Sequence, residues 1–477
     1  MELFRDDGAD SRGRSGAVSS RGQQHLDAGG RSDRQSASAG VGEELRPVRR
    51  EGHIAKHLPK RTRHYNPLTA LGPGLITGAA DDDPSGIATY SQAGAQFGFQ
   101  MLWTMVFTYP LQGVFQSICA RIGRVTGKGL ASNIKTVFPR WVLLIVVFLL
   151  LIANTLNVAA DVAAMGEAGA LLIPGQKHLL TIAFAALTLG LIIFVPYHRY
   201  VWFLKWLTLS LFAYIAVAFL VHAPWGEVAL RTVWPQFKLD KDTATLVTAI
   251  FGTTISPYLF FWQASEEVEE EEDNPKAQPL KDDPAEAPEE LRRIGWDTYI
   301  GMAYSNIIAY FIILATAVTL NVHGVTNIQT ATDAAKALEP VAGHLAFLLF
   351  TLGIVGTGLL AIPTMAGSAA YALSEALGWK SSLESKLGDA RGFYAIIGIA
   401  ILGGVVLAYS PIDPIKALFW AAVVNGVIAV PLMAVIMLLV TRKSLMGQFT
   451  ATTWQRWGGW AATGVMGVVA VAMFVLM

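Results

Sequence analysis

Leu68-Thr69-Ala70-Leu71-Gly72-Pro73-Gly74-Leu75-Ile76-Thr77-Gly78-Ala79-Ala80-Asp81-Asp82-Asp83-Pro84-Ser85-Gly86-Ile87-Ala88-Thr89-Tyr90 is an apolar, membrane-length segment with three carboxylates near its middle. One Asp at the centre of a spanning helix costs about 2.5–3.5 kcal/mol, so three ionised and lipid-facing would cost on the order of 8–10 kcal/mol. They must face a wet cavity or a cation. Pro84 removes a backbone donor and Gly86 accepts unwound dihedrals, so the helix is expected to break directly after the acids. At membrane depth irregular backbone is tolerated where it lines a cavity, and carbonyls freed beside a carboxylate are hard-cation ligands.

The rest of the chain supplies the membrane context. Of 477 residues, 53% are hydrophobic and 15% charged, against about 25% charged in ordinary globular proteins. About half of the charges lie in residues 1–63 and 266–293. Residues 1–63 form an Arg-, Ser- and Gly-rich head with no apolar run, expected to be disordered and cytoplasmic. Residues 64–477 read as a transmembrane domain of about eleven helices, each near the 20 residues that cross a bilayer. Helices 1–5 cover about 68–222, helices 6–10 about 243–441, and helix 11 about 454–477. Lys and Arg cluster after the second, fourth, eighth and tenth spans, which places those loops and the N-terminus in the cytoplasm. Residues 266–292, opening on Glu266, Glu267, Glu269, Glu270, Glu271 and Glu272, read as a solvated acidic cytoplasmic loop. A formal net charge of +0 with no basic stripe gives no reason to expect a nucleic-acid partner. The single cysteine, Cys119, excludes a disulfide framework or a thiolate metal cluster.

The sixth span carries a second interruption, Phe251-Gly252-Thr253-Thr254-Ile255-Ser256-Pro257-Tyr258, five spans after the first. Two Pro-broken, polar-centred helices at matching positions of two five-span halves point to an inverted-repeat transporter with its site at the midplane. Asn154, Asn157 and Asp161 share a face of the third span at spacings of three and four. That stripe is either interhelical glue or a polar pathway beside the site.

Gly72-Pro73-Gly74, Asp83-Pro84-Ser85-Gly86, Gln92-Ala93-Gly94-Ala95 and Arg121-Ile122-Gly123-Arg124-Val125-Thr126-Gly127 together resemble the first two helices of the Nramp divalent-metal transporters. The resemblance extends to Asp161, Asp297-Thr298, Asn306 and Leu445-Met446-Gly447, and in motif it is nearest the Nramp-related magnesium transporters. It implies an all-α, LeuT-like 5+5 inverted repeat in which helices 1 and 6 unwind around one divalent ion. Carried over by position, the ligands are Asp83, the Ala80 carbonyl, Ser256 in place of a family Met, and the Thr253 carbonyl, with Pro84, Gly86 and Pro257 breaking the helices. The family's first-helix Asn is Gly86 here, and its two sixth-helix histidines are Tyr258 and Gln263. The Glu that usually follows the third-helix Asp is Ala164, with Glu167 offset by three further residues. Asp82, Ser85, Tyr258, Gln263, Asp161, Asn157 and Asn306 are the expected surrounding or pathway residues.

Losing the thioether and the amide leaves carboxylate, carbonyl, hydroxyl and water, a donor set suited to Mg²⁺ or Mn²⁺. The expectation is therefore a secondary transporter of a hard divalent cation, with weak or absent proton coupling, no cofactor and no enzymatic activity, in a bacterial inner membrane. The alternative within the family is a proton-coupled Mn²⁺/Fe²⁺ importer. Outside it stand a LeuT-like carrier of organic substrates, whose anionic groups three Asp residues would repel, and a non-transporting membrane sensor.

Overall fold

The computed structural model describes residues 72–195, 207–221, 223–236, 238–272, 277–380, 382–383 and 387–477, all within the unit His64–Met477. The expected disordered head, 1–63, lies outside the described residues. Those residues form helices and turns with no strand. Eight described helices are long and apolar enough to cross a membrane. Three further spans fall short on hydropathy or continuity for visible reasons: the first is broken and acidic, the second carries Gln112, Gln116, Arg121 and Arg124, and the fifth is described only from residue 207.

The first span is two helices, α1 (Pro73–Asp81) and α2 (Pro84–Phe97), joined through Asp82 and Asp83. The second is α3 (Trp103–Thr126), followed by a short helix α4 (Leu130–Val137). The third and fourth are α5 (Arg140–Ala170) and α6 (Lys177–Phe194), and the fifth ends in α7 (Phe212–Leu220), with α8 (Trp225–Val233) after it. The sixth is again two helices, α9 (Lys241–Thr254) and α10 (Pro257–Glu272). The remaining spans are α11 (Ala287–Thr316), α12 (Ala346–Leu377), α13 (Arg391–Ala408), α14 (Pro414–Val440) and α15 (Thr453–Leu476).

Both breaks fall where the sequence placed them, and for the same reason. Pro84 and Pro257 each stand at the first position of the second half-helix, where a missing N–H costs nothing. Of the eight long apolar helices, the broken sixth span is the most buried, with 94% of its apolar window inside, while α6 is only 22% buried. Packing repeats between the halves: α2 lies on α11, and α10 lies on α3, so each second half-helix rests on the span that follows the other break. α5 packs on α12, the corresponding span of the second half.

The first half-helices break this correspondence. α1 lies closely against α11, whereas α9 leans chiefly on α14 and touches α3 only at a few points. The α1–α11 contact depends on missing side chains, because a Cβ on Gly78 would fall inside the contact distance of the Gly301 backbone. At the end formed by α1 and α10, α1 is thus held closely against α11. At the other end, between α2, α9 and α14, a cavity of about 310 Å³ is lined by Ala88, Gln92, Thr245, Ile415, Phe419 and others.

One expectation is corrected here. The acidic run is no loop at its start, since α10 continues to Glu272 and α11 begins at Ala287. Its charges find cations on neighbouring helices: Glu267 is fully buried and meets Arg293 at 3.2 Å, Glu270 meets Arg293 at 2.8 Å, and Glu271 meets Arg124 at 3.0 Å. Beyond it, Leu280 and Lys281 donate their N–H groups to the Arg124 and Val125 carbonyls, pinning the connection to the end of α3.

Candidate cation site between the broken helices

Asp83 is the N-cap of α2. Its Oδ1 accepts the Gly86 N–H and the Ser85 hydroxyl, each at 2.6 Å. These bonds satisfy an orphan donor of the half-helix and fix the carboxylate, and the Tyr258 hydroxyl also stands within hydrogen-bonding reach of it. The side chain is 1% exposed. Facing it are the carbonyl-bearing C-terminal ends of α1 and α9, whose dipoles favour positive charge.

Two carbonyls expected as ligands lie in those last turns, and each already accepts a hydroxyl. Tyr258, fully buried, donates to the Ala80 carbonyl at 3.1 Å. Ser256 donates back to Gly252 O and Thr253 O, both at 2.7 Å, so its hydroxyl caps the end of α9. The Thr253 side chain instead faces the first break, with its hydroxyl 3.4 Å from Ser85 Oγ. Gly86 is tightly enclosed: a Cβ there would lie 3.1 Å from the Tyr90 ring, 3.3 Å from Thr253 Oγ1 and 3.5 Å from Asp83 Oδ1. The room that a longer residue would need is filled by Tyr90 and Thr253.

Asp81 and Asp82 do not join Asp83. Ser305 of α11 hydrogen-bonds both of them, and Gln112 of α3 donates to Asp81 Oδ2 at 2.7 Å. Asn306 donates to Gln112 Oε1 and to Met302 O and accepts the Thr108 hydroxyl at 3.2 Å. Asn306 therefore belongs to this polar chain behind the break. Gln112 and Ser305 were missed from sequence, although Gln112 and Gln116 at i and i+4 in an apolar span were a legible signal. Gln263 points the other way, donating to Glu267 at 3.3 Å.

In α5 the polar stripe divides. Asn154 donates to Met365 O and Ser368 Oγ of α12, and Asn157 donates to Asn425 Oδ1 of α14 at 2.9 Å. Asp161 is fully buried with neither carboxylate oxygen hydrogen-bonded. Among the described residues no three His, Cys, Asp or Glu side chains converge as metal ligands.

Two discontinuous helices meeting at a buried carboxylate, within halves that repeat one packing pattern, are the architecture of multi-pass membrane transporters with a LeuT-like fold. A family model described as natural resistance-associated macrophage protein-like matches residues 74–476, and the chain belongs to this Nramp family. The divalent metal cation transporter MntH of Klebsiella pneumoniae is 24% identical over 407 residues, covering 84% of this chain and 92% of the relative. MntH of Acidiphilium cryptum is 24% identical over 411 residues, covering 83% and 87%. Among solved structures, the manganese transporter of Eremococcus coleocola matches with a TM-score of 0.70 at 17% identity, over 86% of this chain and 87% of that one. Mhp1, a nucleobase-cation-symport-1 family transporter, matches with a TM-score of 0.53 at 14% identity, over 85% and 91%.

Proposed function

We propose that this chain, a divalent metal cation transporter of the Nramp type, carries a hard cation, Mg²⁺ or Mn²⁺, by alternating access around Asp83, with weak or absent proton coupling. The observation that carries the reading is the donor chemistry at the two breaks. Asp83, the Ala80 and Thr253 carbonyls and the Ser256 hydroxyl are all oxygen donors, and no thioether or imidazole stands among them. Oxygen-only sites suit Mg²⁺ and Mn²⁺, and Mg²⁺ keeps much of its water. Absence of imidazole at Tyr258 and Gln263 and of a carboxylate at Ala164 supports weak proton movement. The basic loops support a cytoplasmic N-terminus, with the α1–α10 end on the cytoplasmic side of a bacterial inner membrane.

The test is uptake of Mg²⁺ and Mn²⁺ into proteoliposomes carrying a pH-sensitive dye. Wild type should move both ions with little acidification, and Asp83→Asn should abolish flux. Unchanged flux in Asp83→Asn would remove Asp83 from the site, and strong metal-driven acidification would overturn the coupling claim.

A further inference from the structure

Tyr258 hydrogen-bonds across the two breaks to one of the expected ligands. It stands in the first turn of α10, and its hydroxyl crosses to the Ala80 carbonyl in the last turn of α1 at 3.1 Å. The ring is fully buried, so the phenol has no solvent alternative. A carbonyl oxygen that accepts a hydroxyl proton is a poorer inner ligand for a bare ion. Removing the acceptor would leave a buried hydroxyl short of a partner.

We propose that Tyr258 is a specificity-determining positioning residue: it withholds the Ala80 carbonyl from the ion, so that a metal-bound water takes that place. The phenol oxygen donates to Ala80 and keeps lone pairs that can accept from such a water. An inner carbonyl contact is thereby exchanged for an outer contact through water. This favours an ion that sheds water reluctantly, as Mg²⁺ does, over one that gains more from direct ligands. Ser256 acts in parallel at the second break, where it occupies the Thr253 carbonyl. The inference rests on the reading of Asp83 as the cation site.

Tyr258→Phe removes the donor and keeps the ring. Mg²⁺ and Mn²⁺ uptake would be measured in proteoliposomes over a range of concentrations, with KM and kcat separated for each ion. The expected result is a fall in KM for Mn²⁺ of at least threefold with KM for Mg²⁺ unchanged or raised, and a lower kcat for Mn²⁺ because the ion leaves more slowly. Equal shifts for both ions, or none, would overturn the proposal, since a purely structural role changes both alike. Tyr258→Met, which also lacks the donor, repeats the measurement if the Phe variant folds poorly. Asp83→Asn is assayed alongside. Loss of flux there with an unchanged Tyr258→Phe ratio sinks the Tyr258 role alone, and retained flux sinks the site reading and this inference with it.

Discussion

Asp297 accepts the Gly74 N–H at 2.7 Å, a bond from α11 to the first turn of α1 across 223 residues of sequence. The same carboxylate accepts the Gly72 N–H at 3.0 Å and the Leu75 N–H at 3.2 Å. It therefore serves as an N-terminal cap supplied by another helix, satisfying donors that α1 cannot pair itself. Bonds to a charged group are worth about 1.5–3 kcal/mol. Asp297→Ala should lower stability by about that amount and release α1. The check is a thermal melt together with thiol labelling of a buried Thr77→Cys reporter; an unchanged melt and unchanged labelling would mean that Asp297 does not hold α1 in place.

Arg293 is the hub of the same end. It reaches Glu267 at 3.2 Å, Glu270 at 2.8 Å and Glu290 at 3.2 Å. Removing one partner of a buried pair leaves an uncompensated charge and costs about 3–5 kcal/mol, whereas replacing both by neutral groups is often tolerated. Arg293→Met should be strongly destabilising, and Arg293→Met with Glu267→Gln should recover a large part of the loss. Additive costs in this double-mutant cycle would show that the two side chains are not coupled.

Gly86 offers a test of the site's shape. Restoring the family's Asn by Gly86→Asn adds a side chain where Tyr90 and Thr253 already stand 3.1 and 3.3 Å from the Cβ position. Overpacking of this kind costs about 1–3 kcal/mol. The variant should melt lower and transport both Mg²⁺ and Mn²⁺ more slowly, with Gly86→Asn plus Tyr90→Ala recovering stability. A gain in Mn²⁺ flux by the single variant would show that the pocket has room for the amide.

These cases mark what could be read in advance. The breaks were legible because their signals are local: acids, Pro84 and Gly86 within six residues, and Ser256 next to Pro257. The acidic run was misread because blocks of like charge are usually solvated. The cations that neutralise it come from α3 and α11, and sequence alone cannot pair Glu271 with Arg124. The same limit hid the Asp297 cap. Position within the family motif named Ala80, Thr253 and Ser256, but not that hydroxyls of the chain already occupy both carbonyls.

The polar stripe of α5 supplies the last prediction, because one helix face carries two different physical situations. Asn157 has its donors placed, on Asn425 Oδ1 and Ala153 O. Bonds of this kind between membrane helices average about 0.6 kcal/mol and reach about 1.7 kcal/mol. Asn157→Ala should therefore cost stability of that order and leave the Mg²⁺ to Mn²⁺ flux ratio alone. Asp161, one turn further on, has two buried oxygens with no hydrogen bond, an arrangement that packing alone does not explain. Asp161→Asn should accordingly change transport more than it changes the melt. Flux through both variants, set beside their melting temperatures, separates the roles: a selectivity change in Asn157→Ala would put that residue on the ion's route, and unaltered flux in Asp161→Asn would take Asp161 off it.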